Sequence, residues 1–165
     1  HARFSLRTGE AIGAPAFDPV ACCRVARRDG GVLRRAKIET AAHPGSGKPR
    51  IASGKSERVV IVGGGAAGFA AAEMLRREGF AGSVTLLSSD DAAPYDRPNC
   101  SKDYLAGNAP EDWIPLKPPA FYQEHSIAVE LRSDVIGIDA KARQVVIAGG
   151  RTAASDKPTF CAKVA

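Results

Sequence analysis

The most regular stretch of apolar positions begins at residue 58. Arg58-Val59-Val60-Ile61-Val62 is a continuous β-branched run, the pattern of a strand buried on both faces. Gly63-Gly64-Gly65-Ala66-Ala67-Gly68 comes next, and residues 69–78 then read as a helix. Alanines at 66, 67, 70, 71 and 72 favour it, Glu73 precedes Arg77 by four residues, and Gly79 is placed to end it. Residues 83–87 form a second strand pattern. The order strand–turn–helix–strand predicts a right-handed parallel crossover.

The remaining patterns are shorter. Residues 4–6 are a brief strand-like run, and Pro15 and Pro19 keep the next stretch irregular. Residues 20–25 and 32–38 predict two strands around Asp29-Gly30-Gly31, a hairpin signal. Two or three strands cannot bury a sheet face alone, so residues 1–39 read as part of a domain. Residues 40–57 are rich in Gly, Ser, Pro and Lys and read as a flexible linker, with His43 solvated in it. Residues 92–119 are a proline-containing loop region with two short helical turns, leading to a short helix over 119–124. Strands are expected over 127–131, 135–138 and 145–147, the last two as an antiparallel hairpin. No internal repeat is found.

Composition narrows the class. The chain has 165 residues with 44% hydrophobic and 25% charged positions, an ordinary globular balance. It holds no apolar run long enough for a transmembrane helix and no secretory signal pattern, so a cytoplasmic protein without a membrane partner is expected. The net charge of +5 resides in the first third: residues 1–57 carry 11 basic and 5 acidic side chains. Arg24, Arg27, Arg28, Arg34 and Arg35 alternate with apolar residues there, as a solvated β-surface would; a partner surface is the second reading, and no nucleic-acid partner is expected. Cys22, Cys23, Cys100 and Cys161 have no metal-ligand or dithiol spacing, so no metal site is expected within the chain and a reducing compartment fits.

The glycine run carries the chemistry. Gly63-x-Gly65-x-x-Gly68 fits the dinucleotide fingerprint. Gly63 permits the tight turn, Gly65 allows close approach of a pyrophosphate, and Gly68 allows helix and strand to pack closely. The N–H groups at the helix start, at Ala66, Ala67 and Gly68, would face the phosphates. Asp90 lies 22 residues beyond Gly68, where a ribose-binding carboxylate is expected. Its neighbour Asp91 reads as a solvated loop carboxylate. A glycine-rich turn without a ligand is the bland alternative. The motif does not distinguish FAD from NAD.

Pro94-Tyr95-Asp96-Arg97-Pro98-Asn99-Cys100-Ser101-Lys102 resembles the P-Y-x-R-P-x-L-S-K segment of ferredoxin-reductase-like and apoptosis-inducing-factor-like flavoproteins. The continuation, residues 107–116, is similar to the branch in which a Rieske domain precedes the flavoprotein. That resemblance covers residues 58–151. It implies that Gly63, Gly65, Gly68 and Asp90 hold the ADP half of FAD and that Arg97 pairs with the pyrophosphate. Lys102 would lie near the flavin ring, and Val135 would touch the adenine. The plain alternatives are a surface ion pair of Arg97 with Asp96 or Asp103, and a solvated Lys102. Cys100 departs from the usual Leu and reads as a small hydrophobe. The redox cysteine pair of disulfide-reductase relatives is missing after this loop, which favours an iron–sulfur acceptor.

By the same resemblance residues 1–11 are similar to the segment after the second ligand pair of a Rieske domain, whose [2Fe–2S] ligands would lie upstream. The implied fold is α/β: a partial Rossmann-like FAD-binding domain over 58–165, with a parallel βαβ unit and an antiparallel hairpin, behind a small Rieske remnant. The implied activity is electron transfer from NAD(P)H through FAD to a Rieske or ferredoxin-type acceptor; the alternative is an inactive fragment or weak FAD/ADP-binding module. Ser155-Asp156-Lys157 still approaches the family pattern, but Pro158 disfavours a central strand and residues 152–165 read as a truncated or frame-shifted end.

Overall fold

The structure, a computed structural model, describes residues 2–13, 16, 19–38 and 57–160. The chain divides into two compact units, His1–His43 and Pro44–Ala165. The expected linker and its His43 lie outside the described residues, apart from Glu57.

The first unit contains two antiparallel pairs. Strand β1 (Arg3–Phe4) pairs with β2 (Ala11–Gly13), and β3 (Cys23–Arg28) pairs with β4 (Gly31–Lys37). The hairpin turns at Asp29 and Gly30, both with positive φ (52° and 76°), the geometry that a two-residue turn between right-twisted strands requires. Every residue of β4 is exposed.

The second unit is built on a parallel sheet. Strands β5 (Arg58–Val62), β6 (Ser83–Leu87) and β7 (Ile127–Glu130) run side by side, and β11 (Lys157–Phe160) flanks β5. All three pairings are parallel, with Val62 opposite Leu87. Val59 to Val62 are buried, as their unbroken β-branched run demands. Helix α1 (Ala66–Arg77) covers the sheet through Gly68, Phe69, Ala72 and Arg76. It starts at Ala66 rather than at residue 69, because Gly65 takes the extended N-cap conformation and the alanines enter the first turn. It ends as expected at Gly79 (φ +79°), where Phe80 N–H donates to the Leu75 carbonyl and Gly79 N–H to that of Arg76. The Glu73–Arg77 ion pair forms at 2.9 Å. Helix α2 (Arg97–Asn99) runs directly into a π-helical turn, Cys100–Tyr104, and α3 (Pro119–Glu124) precedes β7.

Strands β8 (Val135–Asp139), β9 (Gln144–Ile147) and β10 (Arg151–Ala154) form an antiparallel sheet. The expected hairpin is present, and β10 adds a third strand after a turn through Gly149 and Gly150, both with φ of +80°. Val145 and Ile147 join Val60, Val62 and Leu87 in one buried cluster.

At the end of the described residues Pro158 lies in a strand, but not in a central one. Lys157–Phe160 is a strand, with Pro158 opposite Val60. Among the described strands β11 has a neighbour on one side only, a position that tolerates a proline. Its start is fastened by Asp156, which accepts from the Arg58 amide at 2.9 Å and from Arg58 Nε at 3.3 Å. Those bonds hold the Asp156 carboxyl below its usual range. Ser155 Oγ accepts from the Val60 amide at 3.2 Å. Residues 161–165 lie outside the described residues.

Candidate functional site

The glycine loop leaves the C-terminal end of β5 and enters α1. Gly63 has φ +115°, a conformation side chains rarely adopt, and its amide donates to the Leu87 carbonyl at 2.9 Å. A Cβ on Gly68 would overlap the Gly63 carbonyl oxygen and meet Leu86 Cδ1 at 3.0 Å, so the helix rests directly on the strand. A Cβ on Gly65 would meet nothing within 4 Å: that face of the loop is open. Gly65 is the N-cap of α1 but offers no side-chain cap, and the first turn holds no acidic residue. Ala66 and Ala67 are exposed there. The first-turn amides are thus left without helical acceptors, beside the positive end of the helix dipole.

Gly64 has a role the sequence pattern did not reveal. A Cβ there would overlap the side chain of Ser88, the first residue after β6. Ser88 is buried, and its Oγ accepts from the Asp90 amide at 3.2 Å. Its backbone is held on both sides, donating to the Glu130 carbonyl at 2.9 Å and accepting from the Ser133 amide at 2.8 Å. The Asp90 carbonyl in turn accepts from the Arg132 amide at 2.9 Å. A short serine, flanked by no recognisable motif, therefore connects the glycine loop to the expected ribose carboxylate. No pattern within the sequence marks it; only the two strand ends brought side by side do.

Arg97 Nη2 lies 2.6 Å from Asp90 Oδ2. The sequence offered Asp96 or Asp103 as ion-pair partners, and neither is correct. Asp96 is occupied instead at the start of α2, where its Oδ1 accepts from the Asn99 amide at 3.4 Å. The Arg97 guanidinium also sits 5.5 Å from the Tyr95 ring centroid. The loop carrying it is anchored: Asp96 N–H donates to the Ile114 carbonyl at 2.8 Å, and Leu116 N–H to the Pro94 carbonyl at 3.0 Å. The Arg97–Asp90 pair is 60% and 34% exposed, so it adds at most about 1 kcal/mol to stability. Its consequence is for charge: the carboxylate and the guanidinium expected to face a nucleotide face each other.

Lys102 lies on the π-helical turn and lines an open groove with Asp96, Pro98, Asn99, Asp103 and Trp113. Among the described residues, the lining of that groove includes none of the glycine loop. Val135, at the start of β8, is partly buried against the cluster that includes Val62 and Leu87. Gly63, Gly65, Ala66, Ala67, Gly68, Asp90 and Arg97 are thus brought together at the strand ends. Val135 packs beneath those ends, and Lys102 stands apart. Among the described residues no group of three or more His, Cys, Asp or Glu side chains could hold a metal ion. Among them, too, no helix is long and apolar enough to cross a membrane.

The sequence profile of the pyridine nucleotide-disulphide oxidoreductase family matches residues 57–162. The chain belongs to that family. The match takes in β11, so the family pattern does not fail at Pro158. Rubredoxin-NAD(+) reductase of Pseudomonas putida is 39% identical over 99 residues, 60% of this chain and 26% of that protein. The ferredoxin–NAD(+) reductase component of the p-cumate 2,3-dioxygenase system of the same species is 41% identical over 100 residues, 61% of this chain and 25% of that protein. Among solved structures, the covalent putidaredoxin reductase–putidaredoxin complex matches at 33% identity and a TM-score of 0.62, over 63% of this chain and 25% of that one. This member of the pyridine nucleotide-disulphide oxidoreductase family therefore spans about a quarter of the length of these relatives. The profile match begins at residue 57 and leaves the first unit outside it.

Proposed function

We propose that the chain is the flavin-binding part of a ferredoxin-reductase-like enzyme that takes electrons from NAD(P)H and delivers them to an iron–sulfur protein. The observation that carries the reading is the bare start of α1: an open face at Gly65, uncapped amides and no acidic residue in the first turn. That donor set fits a pyrophosphate and disfavours a cationic group. The relatives named as rubredoxin and ferredoxin reductases support the electron-transfer assignment.

In this reading the amides of Gly65, Ala66, Ala67 and Gly68 bind the FAD pyrophosphate, with Gly63 shaping the turn. Asp90 accepts from the ribose hydroxyls. Arg97 would share its remaining N–H donors with a phosphate oxygen while holding Asp90. Lys102 stands at the flavin end and stabilises negative charge there, and Val135 backs the adenine. Bound FAD would supply the hydride acceptance and single-electron release that the chain's own residues do not. The protein's own residues bind and orient; no side-chain nucleophile or general base is required. Residues 1–39 are read as the closing part of a Rieske domain. The sequence contains no Cys-x-His pair, so the [2Fe–2S] group is assigned to a partner or to polypeptide outside these residues.

The test is a titration of FAD into the chain, monitored by flavin fluorescence and by competition with ADP. Saturable binding that ADP reverses is expected. No saturable signal up to about 1 mM FAD, an affinity too weak for a resident cofactor, would overturn the reading.

A further inference from the structure

We infer that Ser88 is a positioning residue for nucleotide binding: its side chain sets where the glycine loop stands, and residue 64 is a glycine in order to receive it. This inference deepens the nucleotide-site reading above and rests on it. Gly63 and Gly64 need to be glycine for different reasons. Gly63 has φ +115°, whereas Gly64 lies outside the positive-φ region, so only a neighbour can exclude a side chain there. That neighbour is Ser88. A Cβ on Gly64 would lie 2.5 Å from Ser88 Cβ and closer still to its Oγ, and its three nearest neighbours would all be Ser88 atoms. Ser88 is held in place. It is 2% exposed, its amide donates to the Glu130 carbonyl, its carbonyl accepts from the Ser133 amide, and its Oγ accepts from the Asp90 amide at 3.2 Å. The glycine loop is the softer side. Gly64 leads straight into Gly65 and the first turn of α1, where the face at Gly65 is open. Bulk added at Gly64 would therefore displace the first-turn amides rather than Ser88. The loop is thus registered on the end of β6 at two successive residues. The Gly63 amide donates to the Leu87 carbonyl, and the bare Cα of Gly64 seats against the Ser88 side chain. Amides that bind a phosphate must point in fixed directions, and this double register fixes them.

The experiment is a double-mutant cycle read by ADP affinity. Calorimetry on the full chain gives dissociation constants for wild type, Gly64→Ala, Ser88→Gly and Gly64→Ala/Ser88→Gly, each below its own melting temperature. Gly64→Ala should weaken ADP binding at least ~10-fold, because the loop is pushed off its seat. Ser88→Gly removes the seat and should weaken it at least ~3-fold, an arm that carries the test even if Gly64→Ala does not fold. The double variant moves the bulk across the gap and should return to within ~3-fold of wild type, a recovery that two independent losses would not give. Unchanged ADP affinity in Ser88→Gly, whatever its melting temperature, overturns the inference and leaves Ser88 a packing residue alone. So does a double variant that binds no better than the weaker of the two single variants. Absence of ADP binding to wild type overturns the nucleotide-site reading and the inference with it, and wild type alone shows that outcome.

Discussion

At the N-terminal end of α1 the first-turn amides have no side-chain cap, no acidic neighbour and an open face at Gly65. At its other end, polar groups are used up. Arg76 is buried and donates to the carbonyls of Phe80, Gly82, His125 and Ser126 at 2.7–2.8 Å. Those acceptors lie in two separate segments, the turn after α1 and the junction of α3 with β7. Burial lowers the guanidinium's pKa, yet an arginine remains charged under ordinary conditions. One end of the helix is finished internally and fastens the fold. The other leaves its first-turn donors without a side-chain cap. The difference teaches that unsatisfied groups mark a site only where the neighbouring packing is visibly complete.

The largest effect should come from breaking the finished end. Arg76→Met keeps much of the apolar stem but strands four carbonyls, and a loss of about 3 kcal/mol or more is expected in denaturant unfolding. Arg76→Lys should recover less than half of it, because a point charge cannot serve all four acceptors. Nucleotide affinity of the folded protein should not change in either variant.

A smaller loss is expected at the junction between the two ends. Gly68→Ala forces helix and strand apart at the Gly63 carbonyl and should cost about 1–3 kcal/mol by the same unfolding measurement. Nucleotide binding should fall with it, since the turn itself is displaced.

The smallest effect concerns Tyr122, buried on α3 with a hydroxyl that has no hydrogen-bond partner among the described residues. Burial pushes its pKa up to about 12. The folded state therefore holds the proton more tightly than the unfolded state. Stability from this group is fully present below about pH 10 and is lost as pH rises from there toward about 12. Tyr122→Phe should flatten that alkaline decline and raise stability at neutral pH by about 1 kcal/mol, because a stranded hydroxyl is removed.

The legible part of this molecule is local. The β5–loop–α1–β6 unit was readable because each element carries its own period and the glycines stand at fixed spacings. The geometry at Gly63 and Gly68 agrees with the reasons that made glycine necessary there. The illegible part depends on residues distant in sequence. Arg76 finds two of its acceptors 49 and 50 residues away, and nothing near it in the chain announces them. Ser88 and Gly64 meet only because β5 and β6 end side by side. Arg97 passed over its nearest carboxylate because Asp96 was already capping α2. Pro158 argued against a central strand, and an edge position removed the conflict.

The central claim is that the open end of α1 binds a nucleotide pyrophosphate, and Gly65 tests it most directly. Its backbone (φ −82°, ψ −175°) suits any residue, and a Cβ there touches nothing in the protein. The measurement is ADP affinity by calorimetry for wild type and Gly65→Ala, alongside their unfolding curves. The account predicts coincident unfolding curves and an ADP affinity at least ~10-fold weaker in the variant, because the methyl group occupies the space the phosphate needs. Equal ADP affinity in the two proteins would contradict it.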